Sequence, residues 1–457
     1  MQLPDSILKD VGQIDGVNSE LFCRAHDSGS GTSVRLHPLK GNDVVFEGSG
    51  VPWCKGGFNL AARPVFTTDP FFHGGAYYVQ ESSSMFLEYA FNQVRSDKKG
   101  IRVLDLCAAP GGKSTLLAAL LSPEDLLVSN EVIKTRAGIL EENVVRWGYS
   151  NNWVTNNDPA DFATLEGFFD VIVVDAPCSG SGLFRKDERA LKEWSEENVQ
   201  LCAARQKRIL SDIYPALAKD GILIYSTCSF SEIEDEGVAD WLCTDLGFEG
   251  VALNPPAEWN IVTTISKANK APGYRFFPHL VQGEGFYLAA FRKVEEQSLY
   301  KQPKFKTAKL DDIKKASMHL LAKDVQSTLI NPVKDMYCAI YPSHEADFYL
   351  LSKSLYFKKA GLNIGQPTQK EWLPAHEVAL SVDRNKTLAA IELDRENALR
   401  FLKKEEFEFD SSLRGWQLIT YRGLGLGWVK ALGNRVNNYL PKHWRIRMEI
   451  DFDADLT

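Results

Sequence analysis

Several features that would decide the class of this 457-residue chain are missing from it. None of its eight cysteines forms a Cys-x-x-Cys pair, which argues against a zinc site, and we expect no metal. No apolar run approaches the roughly 20 residues of a membrane-spanning helix, so we expect no membrane partner. The N-terminus, MQLPDSILKD, has no basic start followed by an apolar stretch. Without such an export signal, we expect a cytoplasmic protein with free thiols.

Positive charge is not in excess either. The chain carries 52 Lys and Arg against 60 Asp and Glu, a net charge of −8. This balance gives no overall attraction to nucleic acid, although binding depends on local patches. The hydrophobic share of 44% and the charged share of 25% are ordinary for a globular protein, and the length predicts two or three domains.

The middle of the chain alternates short apolar runs with amphipathic segments. Buried strands are predicted at residues 101–106, 126–131, 171–177, 221–228 and 285–293. Helices are predicted at residues 113–121, 135–148 and 188–214, and a further helix over 231–242, with Ser231 as its cap and acids in its first turn. This alternation predicts an α/β fold with a parallel, doubly wound sheet.

Changes in composition mark the expected domain boundaries. Residues 1–75 mix short apolar runs with turns and predict a small α/β segment, and residues 76–293 hold the alternating strands and helices. Residues 294–310 are rich in Lys, Gln, Glu and Pro, which is typical of a linker. A C-terminal region over residues 311–457 follows.

The end of the stretch DLCAAPGGKST at 105–115 matches the end of the phosphate-binding P-loop pattern. The P-loop pattern requires a glycine where this chain has Cys107, and Pro110 interrupts the loop. A P-loop hydrolase is therefore excluded.

The same loop follows the first strand, which is where doubly wound sheets bind cofactors. Gly111 and Gly112 let the backbone approach a ligand closely. An acid about 20 residues further on is the expected partner of ribose hydroxyls, and Glu131 stands there. Because G-x-G-x-x-G is absent, a cofactor with a ribose and no phosphate fits better, and S-adenosylmethionine is one. The alternative is a glycine-rich turn without a ligand.

Two cysteines follow the ends of two predicted strands. Asp175 and Cys178 lie in VDAPCSGSG, and Cys228 lies in YSTCSF. Because the carboxyl ends of parallel strands line one crevice, we expect the acid and both thiols to share a site with the loop. The alternative is that both are ordinary buried cysteines. A serine-hydrolase elbow around Ser181 is excluded because position 179 is Ser instead of Gly.

Three motifs, DLCAAPGGKST, VVDAPCSGSGLFRKD and YSTCSFSEIEDE, together resemble the RNA cytosine-C5 methyltransferases of the Nop/Sun family. VPWCKGGF and YYVQESSSMF are similar to the family's segment before the cofactor loop. YRGLGLGWVKALGNRVNNYLPK resembles the PUA-like end of the bacterial RsmF-type branch, which modifies small-subunit ribosomal RNA. The resemblance implies a Rossmann-like class I methyltransferase domain, an N-terminal RNA-binding segment and a C-terminal PUA-like RNA-binding domain over about 390–457.

The resemblance also implies roles for particular residues. Cys228 would add to carbon 6 of a cytosine so that carbon 5 can attack the methyl group of S-adenosylmethionine, Cys178 would assist product release, and Asp175 would hold the base near N3. Glu131 would bind the ribose and Asp158 would lie near the adenine, with Asp175 close by. The implied cofactor loop comprises Cys107, Ala108, Ala109, Pro110, Gly111, Gly112 and Lys113. From the residues alone, Asp158 is a turn residue, and Lys113 is equally well a solvated lysine at a helix start.

An RNA partner requires cations that bind phosphates and rings that stack on bases. Residues 411–448 contain no Asp or Glu, and their cations are Arg414, Arg422, Lys430, Arg435, Lys442, Arg445 and Arg447. The interleaved rings are Trp416, Tyr421, Trp428, Tyr439 and Trp444, which alternatively form the core of a small β domain. Residues 185–194 are a further candidate RNA contact, or a solvated helix. The family's early Arg-x-Asn is Arg35-Leu36-His37 here, which leaves the RNA contacts of that segment open.

We therefore predict a monomeric RNA cytosine-C5 methyltransferase that uses S-adenosylmethionine and acts on small-subunit ribosomal RNA. One alternative is the same reaction on transfer RNA. Another is a non-catalytic, RNA-binding ribosome-assembly factor with a vestigial catalytic domain. The intact Asp175, Cys178 and Cys228 argue against the second alternative.

Overall fold

The computed structural model describes residues 2–295, 310–333 and 336–450. Most of the expected linker at 294–310 therefore lies outside the described residues. Within these ranges, no helix combines the length and the apolar character needed to cross a bilayer. The described residues also contain no cluster of His, Cys, Asp and Glu that could hold a metal ion.

The N-terminal part is a small antiparallel sheet with flanking helices. Its elements are α1 (Asp5–Gly12), α2 (Ser19–His26), β1 (Thr32–Leu36), β2 (Gly48–Gly50), β3 (Gly57–Leu60), α3 (Pro70–His73) and β4 (Tyr77–Val79). The strand order is β2-β3-β1-β4. Because β4 pairs with β1, the sheet extends past residue 75, where the N-terminal segment was expected to end.

Arg35 on β1 joins this sheet to the next domain. Its side chain is 2% exposed and donates from Nε to Gln80 Oε1 at 2.9 Å and from Nη2 to Thr115 Oγ1 at 2.7 Å. Its guanidinium lies 4.5 Å from the centre of the Trp147 ring, and burial lowers the pKa of Arg35 to about 10. The neighbouring His37 is also buried, with Nε2 3.1 Å from the Trp147 carbonyl. Arg35 and His37 therefore serve the packing of the two domains.

The central part is built on a mixed sheet. Its elements are α4 (Leu87–Val94), β5 (Arg102–Asp105), α5 (Gly112–Leu120), β6 (Leu126–Asn130), α6 (Lys134–Trp147), β7 (Asn152–Thr155), β8 (Phe169–Asp175), α7 (Glu188–Glu193), α8 (Glu196–Ile213), β9 (Leu217–Thr227), α9 (Glu236–Leu246), β10 (Phe248–Val251), β11 (Val262–Ile265), β12 (Pro272–Phe276) and β13 (Phe286–Lys293). Strands β5 to β9 are parallel, as the alternation predicts. Strands β10 to β13 add an antiparallel extension, because short connections return the chain along the same edge.

Consecutive residues of the parallel strands face opposite sides of the sheet. Val103 and Leu127 belong to one buried cluster, whereas the next residue of each strand, Leu104 and Val128, belongs to another. Both faces are therefore covered, which is the physical reason why these strands read as continuous apolar runs.

The helix expected to begin at Ser231 begins instead at Glu236. Glu234 and Asp235 are fully buried, at 0% exposure, and so cannot form a solvent-facing first turn. They bind groups around Cys228, as described below. The prediction that this helix begins at Ser231 was wrong, because the acidic side chains make tertiary contacts and do not form a first helical turn.

The single helix expected over residues 188–214 is divided in two. Trp194 is extended, and the side chain of Ser195 accepts a hydrogen bond from Asn198 N at 3.1 Å. Ser195 therefore caps a new helix, α8, in the manner typical of serine at this position.

The C-terminal part contains two four-stranded sheets. Its elements are α10 (Asp311–Ser317), β14 (Thr328–Val333), β15 (Met336–Ile340), α11 (Glu345–Leu351), β16 (Phe357–Lys359), β17 (Leu362–Pro367), β18 (Trp372–Pro374), α12 (His376–Leu380), β19 (Ala390–Glu392), α13 (Arg395–Lys403), β20 (Arg414–Tyr421), β21 (Leu424–Leu432) and β22 (Val436–Asn438). The sheets have the orders β14-β15-β17-β18 and β19-β20-β21-β22. Strand β16 pairs with β7, so the C-terminal part covers one edge of the central sheet.

The C-terminal part packs directly against the rest of the chain. The guanidinium of Arg146 on α6 lies 4.9 Å from the centre of the Trp444 ring, and the Phe71 and Tyr421 rings meet at 5.2 Å. Trp428 is buried and donates from Nε1 to a backbone carbonyl, so this ring belongs to the core. The three parts are therefore held together by contacts that involve several of the predicted aromatic residues.

Candidate active site

Strands β5, β8 and β9 are parallel neighbours, so their carboxyl ends meet at one edge of the sheet. Asp105 ends β5, Asp175 ends β8, and Cys228 directly follows β9. A pocket of about 290 Å³ lies at this edge. The predicted residues that line it are Cys107, Ala108, Ala109, Pro110, Gly112, Lys113, Asp175 and Cys228. The structure thus brings the predicted loop, acid and thiol into one site.

The turn before α5 depends on Gly111. Its φ angle is +116°, a conformation that L side chains rarely adopt. A Cβ atom there would lie 3.3 Å from Leu140 Cδ1. The turn places the first residues of α5, Gly112 and Lys113, in the pocket wall, where the helix has free backbone N–H groups.

The two thiols are in contact. Cys178 Sγ lies 3.1 Å from Cys228 Sγ, and both cysteines are free. The hydrogen bond to Cys228 raises the pKa of the Cys178 thiol well above its usual value, and burial adds to this effect. The raised pKa keeps the Cys178 thiol protonated at neutral pH, and either sulfur can be the donor of the contact. The contact places the Cys178 thiol directly beside the sulfur of Cys228.

Asp175 and Lys113 form an ion pair inside the pocket, with Lys113 Nζ 2.8 Å from Asp175 Oδ2. Ser226 donates to the other carboxylate oxygen at 2.8 Å. Although burial opposes it, the charge of Asp175 and its hydrogen bond raise the pKa of Lys113. The Lys113 side chain is 12% exposed, so it is not a solvated lysine at a helix start.

The base of the site is acidic. Asp105 is fully buried; its Oδ2 accepts from Ser114 Oγ at 2.6 Å, and its Oδ1 has no partner among the described residues. Burial raises the pKa of Asp105 to about 7, and the charges of Asp175 and Glu131 contribute. A buried carboxylate oxygen without a donor fits a cofactor that carries positive charge. The sulfonium and ammonium groups of S-adenosylmethionine supply such charge.

Glu131 and Asp158 lie at the ends of the next two strands, and neither is among the described residues that line the pocket. Glu131 is buried and accepts from Ile133 N at 2.9 Å. Its Oε2 lies 3.4 Å from Arg136 Nη1, and Arg136 also donates to the Ala109 carbonyl at 2.8 Å. Glu131 is thereby tied to the loop.

Asp158 caps a short 3-10 turn over Pro159–Thr164. Its side chain accepts from Ala160 N at 3.1 Å, and its own backbone N–H donates to Asp161 Oδ2 at 3.0 Å. These contacts are those of a turn residue, which is what the residues alone predict.

Glu234 connects the two cysteine loops, and the sequence analysis missed it. It accepts from Ser179 N at 2.8 Å and from Ser179 Oγ at 2.5 Å, and it accepts from Ser229 Oγ at 2.6 Å. These serines directly follow Cys178 and Cys228. The only sequence signal was its place within the motif YSTCSFSEIEDE, where a first helical turn was expected instead.

Further residues of the pocket wall come from outside the predicted set. They are Tyr78, Val79, Gln80, Glu81, Ser84, Leu183, Lys186, Glu284, Gly285 and Phe286. Tyr78 and Val79 belong to β4, so the N-terminal sheet forms part of the site. The resemblance of YYVQESSSMF to a known segment was the available signal for these positions. Lys186 lies in the candidate stretch 185–194.

Comparison with known protein families gives three matches. The family described as 16S rRNA methyltransferase RsmB/F matches residues 93–292. The N-terminal domain of 16S rRNA methyltransferase RsmF matches residues 3–82, and the methyltransferase RsmF PUA domain matches residues 389–446.

Solved structures include similar folds. A methyltransferase homolog protein from Pyrococcus horikoshii is 27% identical, with a TM-score of 0.52 over 64% of this chain and 100% of that chain. The structure of NSun6 from Pyrococcus horikoshii with SFG has a TM-score of 0.52 over 64% of this chain and 99% of that chain, at 18% identity. The second likeness concerns the fold alone.

Curated relatives extend the likeness over most of the chain. Ribosomal RNA small subunit methyltransferase F from Shewanella loihica is 32% identical over 417 residues, which is 86% of this chain and 82% of the relative. The protein of the same name from Aeromonas hydrophila is 32% identical over 419 residues, which is 86% of this chain and 84% of the relative. Identity at this level across all three parts of the molecule leaves one assignment: the chain belongs to the RsmB/F family of 16S rRNA methyltransferases, enzymes that use S-adenosylmethionine to methylate ribosomal RNA.

Proposed function

We propose that the protein transfers a methyl group from S-adenosylmethionine to carbon 5 of a cytosine in small-subunit ribosomal RNA. The observation that carries this proposal is the contact of 3.1 Å between Cys178 Sγ and Cys228 Sγ beside the cofactor loop. Carbon 5 of cytosine is a poor nucleophile, so its methylation needs a group that adds to carbon 6 first. A methyltransferase acting on a nucleophilic nitrogen or oxygen would need no such thiol.

Cys228 is the proposed nucleophile. Its sulfur forms a bond to carbon 6, and the displaced electron pair makes carbon 5 electron-rich, which divides one difficult step into two easier ones. S-adenosylmethionine, when bound, supplies the methyl group as an electrophile on a positively charged sulfur. After transfer, a water molecule takes the proton of carbon 5, and the electron pair of that C–H bond re-forms the double bond between carbons 5 and 6. The electron pair of the bond between sulfur and carbon 6 returns to Cys228 as that bond breaks.

Cys178 assists the last step in this proposal. Its raised pKa keeps the thiol protonated, and its sulfur lies 3.1 Å from Cys228 Sγ in the free protein. A hydrogen bond from this thiol stabilises the sulfur of Cys228 as it leaves carbon 6 with the electron pair. The loss of this hydrogen bond would slow the release of the methylated product more than it would slow methyl transfer.

Asp175 is proposed to hold the base near N3 and to pass to N3 the proton given up by the Cys228 thiol, which neutralises the negative charge that arises as sulfur adds to carbon 6. Lys113 and Ser226 each bind one of its carboxylate oxygens, at 2.8 Å in both cases, and so fix its orientation. Lys113 is the last residue of the cofactor loop and binds this carboxylate, so it connects cofactor binding to base binding. Because the base must reach the pocket, the target cytosine is unpaired or extruded from its helix.

The proposed cofactor residues are the loop from Cys107 to Lys113, Glu131 for the ribose and Asp158 near the adenine, with Asp175 close by. The buried, unpartnered Oδ1 of Asp105 supports a cationic ligand at this position. The protein is further proposed to be a monomer and to act in the cytoplasm. The eight free cysteines support the second point, since thiols stay reduced in that compartment.

The test supplies the purified protein with tritiated S-adenosylmethionine and deproteinised small-subunit RNA, and then maps the modified nucleotide by bisulfite sequencing. A single 5-methylcytosine in the ribosomal RNA is expected. Transfer RNA is the comparison substrate, and preferential labelling of it would replace ribosomal RNA in the proposal. Methylation at a nitrogen or at a ribose would overturn the role of Cys228. Calorimetric titration with S-adenosylmethionine separates an enzyme from a vestigial domain that does not bind it.

A further inference from the structure

Residues 74–81 run along three cavities in succession. Tyr78 and Val79 line both the active-site pocket and a second pocket of about 270 Å³. Gly75 lines the second pocket, and Gly74 lines a third cavity of about 590 Å³. Because eight extended residues span at most roughly 25 Å, the three cavities follow closely on one another.

The second cavity, here called the flanking pocket, combines guanidinium groups with aromatic rings. The Arg63 guanidinium lies 5.4 Å from the centre of the Phe66 ring, and the Arg146 guanidinium lies 5.0 Å from the centre of the Phe72 ring. No Asp or Glu is among the described residues that line it. Arg63 is exposed and forms no ion pair within the described ranges. Such a pocket can stack a base and bind a phosphate.

The third cavity, here called the domain cleft, lies between the N-terminal and C-terminal parts. Its cationic residues are Lys40, Arg384, Lys386 and Arg422, and its one described acid is Asp43. Lys40 donates to the carbonyls of Arg146 and Gly74, whereas the exposed Lys386 and Arg422 have no acidic partner among the described residues.

Arg422 has an unusual backbone for its residue type. It stands at the tip of the hairpin between β20 and β21 with a φ angle of +49°, followed by Gly423 at +73°. Asn-Gly and similar pairs are the usual choice for such a turn, because a long L side chain is strained there. Arg384 donates from Nη2 to the Gly423 carbonyl at 2.7 Å, which holds the tip in place. The hairpin tip thus places Arg422 in the wall of the domain cleft.

We propose that the RNA strand next to the target cytosine follows these cavities, with a base and a phosphate in the flanking pocket, the phosphate against Arg63, and further phosphates against Lys386 and Arg422 in the domain cleft. This inference rests on the proposed function, since it requires an RNA substrate. Cations that outnumber the single described acid Asp43 in these two cavities, interleaved with aromatic rings along one path, match the alternation of phosphates and bases in a single strand.

Two cations expected from the sequence to grip RNA are engaged elsewhere. Lys430 forms an ion pair with Glu371, and Arg414 donates to the carbonyls of Ser411 and Leu413. Of the cations in residues 411–448, the proposed path therefore uses Arg422 and does not use Lys430 or Arg414.

The test measures how binding of a fluorescein-labelled, mixed-sequence single-stranded oligoribonucleotide depends on salt, by fluorescence anisotropy. The slope of log K against log salt is negative, and each lost phosphate contact reduces its magnitude by about 0.7 for a single strand. The double variant Lys386→Ala/Arg422→Ala is therefore expected to reduce the magnitude by about 1.4, and Arg63→Ala by about 0.7. The matched controls Lys370→Ala and Arg208→Ala remove exposed cations that line none of the three cavities, and their slopes should equal the wild-type slope.

The RNA path would be overturned if the double variant and Arg63→Ala both keep the wild-type slope while the wild-type protein methylates RNA normally. That result would leave the proposed function standing. A wild-type protein that neither binds nor methylates RNA would overturn the proposed function itself. S-adenosylmethionine binding and the thermal midpoint are expected to be unchanged in all variants. A changed midpoint with an unchanged slope would assign these cations a structural role and contradict the path.

Discussion

The sulfur atoms of Cys178 and Cys228 share a hydrogen bond of 3.1 Å, although the two residues are 50 positions apart in the chain. Strands β8 and β9 run parallel with Asp175 opposite Ser226, so the loops that follow the two strands leave the same edge of the sheet side by side. Glu234 then binds the serine after each cysteine and holds the two loops together. The contact is thus a consequence of strand register and of one buried carboxylate.

The two thiols should differ in what their removal does. Cys228→Ala is expected to reduce methyl transfer to background, because no sulfur can add to carbon 6. Cys178→Ala is expected to lower turnover about 100-fold and to accumulate an RNA adduct that survives denaturant, because release is impaired. Gel electrophoresis of labelled RNA under denaturing conditions measures the adduct. The opposite pattern, an adduct in Cys228→Ala, would exchange the two roles.

Glu234→Gln should disturb the spacing of the thiols. The amide keeps the size of the side chain but only one acceptor oxygen. It therefore cannot accept both from Ser179 N, which binds Oε1, and from the Ser179 and Ser229 hydroxyls, which bind Oε2. We expect kcat to fall about tenfold with an unchanged KM for RNA, and the free energy of unfolding to fall by about 1–3 kcal/mol. Glu232→Gln, at the partly exposed partner of Lys267, is the matched control. An unchanged kcat at normal stability would mean that Glu234 does not position the thiols.

Lys113→Met should leave Asp175 without its cationic partner. The Asp175 side chain is 36% exposed, and the substitution leaves its charge without the cation that orients it in the pocket. We expect kcat/KM for RNA to fall about 100-fold, since a loss of about 3 kcal/mol in the transition state corresponds to that factor. Steady-state kinetics checks this, with Lys134→Met, an exposed lysine at the start of α6, as control. Equal activities of the two variants would exclude Lys113 from the site.

Asp105 should make cofactor binding depend on pH. Burial raises its pKa to about 7, so its ionised fraction increases as the pH rises through that value. A cationic ligand binds the ionised form better, and the affinity for S-adenosylmethionine is therefore expected to rise between about pH 6 and about pH 8 with release of a proton. Calorimetry in two buffers of different ionisation enthalpy detects the proton. In Asp105→Asn the affinity should be lower and independent of pH over this range; persistence of the wild-type profile would contradict the assignment.

His73 should contribute to loss of stability in acid. Burial lowers the pKa of His73 to about 4, and its Nε2 lies 2.9 Å from the Thr67 carbonyl. Since the unfolded chain titrates near 6.5, it binds the proton first, and stability falls as the pH drops from about 6.5 toward about 4, by up to about 3 kcal/mol. Thermal melting across this range should show a shallower decline for His73→Gln. His443→Gln, whose side chain is 61% exposed, should keep the wild-type decline; if both variants lose it equally, the effect does not come from His73.

Local patterns were sufficient for much of the catalytic domain. The runs that became β5, β6 and β8 are apolar because both faces of the sheet are covered, and this information is contained in a few consecutive residues. The glycine turn at Gly111 and the cysteines at two strand ends likewise follow from short motifs. The common edge of the sheet was predictable from strand alternation alone.

Contacts between distant residues were not predictable in this way. The acidic run at 234–236 has the composition of an exposed helix start, yet Glu234 and Asp235 are fully buried because they bind groups beside Cys228. The cations at the C-terminal end look equivalent in the sequence, but Lys430 meets Glu371 and Arg422 meets no acid among the described residues.

By itself, the amino-acid sequence determined the family, the order of strands and helices around the cofactor loop and the identity of the reactive groups, because these depend on neighbouring residues and short spacings. Only the tertiary structure decided which charges are paired, that the two thiols are in contact and how the N-terminal sheet completes the pocket. Those properties depend on burial and on distances of a few ångströms between residues that are far apart along the chain, since electrostatic and hydrogen-bond energies change steeply over such distances.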